Sequence, residues 1–147
     1  MTILRLTLSK ARPWDLAGIG ASALCILHCV ATPLLVIVLP ALEIFERQTH
    51  AGFALSILCI GLLAFVPGYR RHRRWQIVFL GLIGFGMLSA GVLVPEGGMS
   101  EAAEVALTVL GGTTLITAHL RNAYFCLLCR ACGRQPCAAE LADAVGA

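Results

Sequence analysis

Charge is what this chain of 147 residues most conspicuously lacks: Asp, Glu, Lys and Arg make up 13% of it, against 59% hydrophobic residues and a mean hydropathy of +0.86. A soluble domain carries roughly 25% charged residues, so a water-facing surface of ordinary extent is excluded. The chain has no G-x-x-x-x-G-K-[ST] loop to cradle nucleotide phosphates and no C-x-x-C-H motif for haem attachment. Its apolar runs hold no carboxylate, which argues against hydrolytic chemistry and against an enzyme. No internal repeat or low-complexity segment is evident. A cleaved signal peptide is a poor description of the first apolar run, which is far longer than the ~7–15 residues of such an h-region and lacks a small-x-small cleavage site.

What is present is four apolar runs, roughly Leu16 to Leu39, Ala51 to Val66, Ile77 to Val94 and Ala102 to Leu120. A spanning helix needs about 20 residues, within a range of ~17–25. The expected fold is therefore an all-α integral membrane protein. Its four transmembrane helices form an antiparallel bundle, because every connection is short. The organisation read from this is a cytoplasmic N-terminal segment over 1–15, a transmembrane domain over 16–120 and a Cys-rich cytoplasmic tail over 121–147. Trp14, Tyr69 and Trp75 sit where interfacial aromatics belong. Pro40, Pro67 and Pro95 each close a run, and Ser100 with Glu101 and Glu104 reads as the capped start of the fourth helix. Gly18, Ser22, Gly81, Gly84, Gly86, Gly91, Gly111 and Gly112 read as small residues that let membrane helices approach.

The basic residues orient the bundle. Arg5, Lys10 and Arg12 precede the first run, Arg70, Arg71, Arg73 and Arg74 separate the second from the third, and Arg121, Arg130 and Arg134 follow the fourth. Arg47 alone lies in the other two connections, beside Glu43, Glu46, Glu96, Glu101 and Glu104. The positive-inside rule then predicts both termini in the cytoplasm. Arg70 to Arg74 read as a membrane-flanking anchor, not as a nucleic-acid patch.

Within the first run stands Cys25-Ile26-Leu27-His28-Cys29. Positions i, i+3 and i+4 fall on one helical face, and Ser22, Cys25, Cys29 and Thr32 continue that face as a stripe. Ionisable groups at membrane depth are costly and by default mark a functional site. Thiolate and imidazole together are the ligand set of soft and borderline metals. Pro33 has no N–H, so the Cys29 carbonyl loses its helical partner and becomes a further donor. Cys59, near the middle of the second run, is either a further ligand or a small buried hydrophobe. Cys126, Cys129, Cys132 and Cys137 form C-x2-C-x2-C-x4-C beyond the fourth run. In a reducing cytosol they point to metal capture or hand-off more than to disulfides. His119, between the two groups, is a candidate relay or an interfacial histidine bonded to water.

On these residues the chain resembles the MerC family of small bacterial inner-membrane proteins, known for uptake of mercuric ion. The resemblance rests on Ala-Ser-Ala-Leu-Cys-x-x-His-Cys at 21–29 running into Thr32-Pro33-Leu34-Leu35. It rests also on Gly-Tyr-Arg-Arg-His-Arg-Arg at 68–74 and on Leu-x-Val-Leu-Gly-Gly at 107–112 leading to His119. It implies a transport pair at Cys25 and Cys29, a cargo of mercuric ion, and a role for the cysteines near the carboxyl terminus. The mercury-resistance members space the first pair C-x-x-C, whereas this chain has C-x-x-H-C. Thiolates at i and i+4 can still bind mercuric ion linearly, while a third, nitrogen ligand suits Zn2+ or copper.

Three functions stay open at this level. The first is transport of a thiophilic metal ion from periplasm to cytoplasm by ligand exchange, ending on a cytosolic thiol or metal acceptor. The second is a membrane metal-binding or sensor protein without flux. The third is a haem or redox membrane protein. Four helices make a narrow bundle, which leaves room for a homodimer.

Overall fold

A computed structural model describes residues 7–39, 43–93 and 98–131. After a helical turn over residues 7–10 come four helices: α1 (Pro13–Val38), α2 (Glu43–His72), α3 (Trp75–Leu93) and α4 (Glu101–Ala131). There is no strand among the described residues. Among the described residues, three helices are long and apolar enough to cross a membrane; the apolar part of α3, Trp75–Ala90, is shorter. The 19 residues of α3 nevertheless reach about 28 Å at 1.5 Å per residue, close to a hydrocarbon core of about 30 Å.

Each helix packs on the next in sequence, as the short connections require, and α4 also packs against α1 and α2. Polarity is inverted relative to a soluble bundle. Leu27, Leu34, Ile37, Leu55, Leu62 and Leu82 are exposed, while Asp15, Ser22, His72, His119 and Asn122 are buried. Lipid as solvent explains both halves, since apolar surface costs nothing there and polar groups must find partners inside. Small residues set the helix spacing: a Cβ on Gly84 or Gly111 would press on the other's carbonyl oxygen, and one on Gly112 would meet Ile26.

The helices overrun the apolar runs that announce them. Pro13 provides α1 with a first-turn proline, the position where the missing N–H is harmless. Ser100 caps α4 as expected, its Oγ accepting the Ala103 N–H at 3.3 Å. Pro67 does not end α2, which continues through it to His72. Pro67 deprives the Leu63 carbonyl of its helical partner. One residue on, the Ala64 carbonyl gains a side-chain donor, Asn122 Nδ2 of α4, at 3.3 Å. Arg70 and Arg71 therefore belong to the last turn of α2. Only residues 73 and 74 connect to α3, with Arg73 left-handed at φ 54°. Pro40 and Pro95 lie outside the described residues.

Candidate metal centre

α1 turns one stripe inward: Asp15, Gly18, Ser22, Cys25, Cys29 and Thr32, spaced 3, 4, 3, 4 and 3. This is the stripe read from the sequence, extended by two positions toward the N-terminus. Cys25 and Cys29 are 6% and 7% exposed and pack with Ile57 of α2, Leu88 of α3 and Leu115 of α4. The pair thus lies at the meeting point of all four helices. Cys25 and Cys29 lie one helical turn apart on this face, and Thr108 of α4 stands beside Cys29. A third group completes the surroundings: Nε2 of His50, on α2, lies 3.5 Å from the Cys29 sulfur.

His28 is placed differently from its neighbours. One residue from Cys29, it is turned about 100° around the helix and falls off the buried stripe. Its ring stands edge-on to His50, centroids 5.4 Å apart, and lies 5.5 Å from Phe53. Its Nε2 is buried without a hydrogen-bond partner, and its carbonyl accepts the Thr32 hydroxyl at 2.8 Å. The expected Cys25–His28–Cys29 triad is not assembled. Among the described residues, no three His, Cys, Asp or Glu side chains converge on a metal position. The structure brings together two thiols, with one imidazole against the second. Cys59 is exposed, on the side of α2 away from the buried Ile57, and does not face the pair.

A second polar group lies at the end of the bundle where α1 begins and α4 ends, and its hydrogen-bond directions can be worked out link by link. The Arg74 N–H donates to His72 Nδ1 at 3.0 Å. His72 therefore carries its hydrogen on Nε2 and donates it to Asn122 Oδ1, also at 3.0 Å. That fixes the Asn122 amide, whose Nδ2 donates to Asp15 Oδ1 at 2.9 Å. His119 Nδ1 donates to the same oxygen at 3.2 Å. Asp15, His119 and Asn122 are all 0% exposed. Phe65 stacks on the His119 ring at 4.5 Å, and Gly18 and Gly68 leave just enough room for His119 and Asn122.

Sequence reasoning missed Asp15, because the first helix begins three residues before the apolar run and takes the carboxylate inside. The signal was available: counting back from Cys25 by 3, 4 and 3 arrives at it. His119 is no interfacial histidine bonded to water. It is a buried partner of that carboxylate, with its Nε2 unpartnered. Since His28 and His119 belong to separate groups, they are not a pair of axial ligands for one haem.

α4 runs beyond Leu120 to Ala131, so Cys126 and Cys129 are buried on a helix and do not belong to a separate tail. Cys126 lines a small cleft with Lys10, Arg12 and Arg71. Cys132 and Cys137, and with them the expected four-thiol site, lie outside the described residues.

No curated protein and no solved structure matches this chain. A protein family does. The profile of the MerC mercury resistance protein matches residues 15–124, a range that opens on Asp15, includes both polar groups and closes before Cys126. By that match over the core of its sequence, the chain belongs to the MerC mercury resistance family.

Proposed function

We propose that this protein moves a thiophilic metal ion, mercuric ion first, through the membrane from periplasm to cytoplasm, with Cys25 and Cys29 as its central ligands. The observation that carries the reading is the pair itself. Two thiols one helical turn apart, buried where four helices meet, belong to a multi-pass protein of a mercury resistance family. Soft thiolates select soft ions, and a membrane interior tolerates a metal ion only while ligands replace its water. The positive-inside bias supports placing the arginine-rich end in the cytoplasm. From the pair, the buried stripe runs through Ser22 and Gly18 to the unpartnered Nε2 of His119. Beyond His119 come Cys126 and Cys129, to receive the ion before a cytosolic acceptor does.

The test is flux. Proteoliposomes holding the full-length protein should accumulate mercuric ion, and Cys25→Ser/Cys29→Ser should abolish accumulation while insertion persists. Unchanged flux in that double variant would overturn the reading. Ion bound without flux in the unaltered protein would make it a binding or sensor protein instead.

A further inference from the structure

Where α2 packs on α3 the two helices leave a groove of about 220 Å³ between them, lined on one side by Ile57, Gly61 and Phe65 and on the other by Gly81 and Phe85. Its walls are apolar until the end marked by Tyr69 and Arg70. From Ile57 to Arg70 it follows α2 for about 20 Å at 1.5 Å per residue. That is half of the ~40–45 Å a bilayer measures with its headgroups. Two glycines keep the groove open. A Cβ on Gly61 would meet only the Phe65 ring, at 3.7 Å, and one on Gly81 would press on the same ring at 2.9 Å. An empty hollow forfeits van der Waals contacts along its lining, so in a bilayer it takes up either an acyl chain or another helix.

Charge decides between the two. Arg70 and Arg73 are exposed at the polar end of the groove, with the Arg73 guanidinium 5.9 Å from the centre of the Tyr69 ring. The chain has no carboxylate between Glu46 and Glu96, and among the described residues no ion pair engages either arginine. A second copy inserted in the same sense would bring its own Arg70 and Arg73 to the same depth, and like charges facing one another oppose association. An anionic headgroup is attracted there instead. We propose that the α2–α3 groove is a binding site for an anionic phospholipid, with one acyl chain lying over Gly61 and Gly81 and the phosphate held by Arg70 and Arg73. The site needs no metal and stands independently of the cysteine pair. Lipid bound there packs on Phe65, whose ring stacks on His119, and so braces the polar group built on Asp15.

The test titrates the full-length protein in detergent with phosphatidylglycerol, or with phosphatidylcholine of the same acyl chains, and counts bound lipid by native mass spectrometry. One phosphatidylglycerol should be retained in preference to phosphatidylcholine. Arg70→Gln should weaken its binding about fivefold, the worth of one arginine at an anionic lipid surface, and leave phosphatidylcholine unmoved. Arg121→Gln removes the same charge from an exposed position on α4 outside the groove, and should change neither. Gly61→Leu fills the groove and should displace both lipids, with an unchanged Tm in lipid-free detergent as its folding control. Equal losses in Arg70→Gln and Arg121→Gln would reduce the effect to net charge and overturn the proposal. So would phosphatidylglycerol held undiminished by a folded Gly61→Leu. A doubled mass that Gly61→Leu returns to that of one chain would give the groove to a second copy instead. Should Gly61→Leu fail to fold, the two arginine variants decide alone.

Discussion

Two polar groups share the inner stripe of α1, about 14 residues apart from Asp15 to Cys29, or about 21 Å along the axis, and they are built on opposite plans. Around Asp15 the chain of donors and acceptors has a determined direction, from the Arg74 N–H through His72 and Asn122 to the carboxylate. It spans α1, α2 and α4 and uses bonds of 2.9–3.2 Å. Around Cys29 the contact is soft and long, a sulfur 3.5 Å from an imidazole. The first arrangement fixes helices against one another. The second holds its side chains close through a weaker contact, which suits the ion exchange proposed above.

This contrast predicts a separation of phenotypes. The largest effect belongs to the thiols: Cys29→Ser alone should abolish mercuric ion uptake. Its effect on stability should stay small, below about 1 kcal/mol, read as an unchanged Tm in detergent. An uptake loss accompanied by collapse of the fold would break the comparison. Gly18→Ala comes next and acts only at the other group. Its new Cβ would overlap the His119 ring, which is pinned by Phe65 on one side and by Asp15 on the other. Overpacking of this kind costs about 2–3 kcal/mol. The expected outcome is a lower Tm with metal binding at the cysteine pair retained below it.

Asn122→Ala should follow at about 2 kcal/mol, from three lost hydrogen bonds at the ~0.6 kcal/mol typical within membrane bundles. It should also loosen α2 around Pro67, because the Ala64 carbonyl loses its side-chain donor. Amide hydrogen exchange through residues 64–72 reads that directly, and protection equal to the unaltered protein would argue against it. The smallest effect is expected for Cys59→Ser. That thiol is exposed on the lipid-facing side of α2, so neither uptake nor Tm should move measurably.

Part of this was legible from composition and spacing. Apolar runs of spanning length announced the helices, and the position of Ser100 announced the start of α4. The 3–4 spacing of Ser22, Cys25, Cys29 and Thr32 announced which face of α1 is buried. Other features were hidden for physical reasons. A hydropathy run marks where lipid-facing residues begin, not where a helix begins, so Asp15 and Cys126 seemed to lie outside helices that contain them. A proline reads as a stop in isolation, yet α2 continues through Pro67 to His72 where it packs against α4. Cys59 and His28 looked equivalent to their neighbours because their distance along the chain was right, while their angle around the helix was not.

The sequence by itself determined that this chain belongs in a bilayer and that its first helix turns two thiols inward. Both follow from local quantities, the density of apolar residues and their periodicity. Only the tertiary structure decided what meets those thiols and that carboxylate. His50 reaches Cys29 across 21 positions of sequence, and His119 and Asn122 reach Asp15 across 104 and 107. Such pairings depend on the rotation and depth at which helices settle against one another. That is fixed by glycine contacts and by the need of buried polar groups for partners in a medium without water.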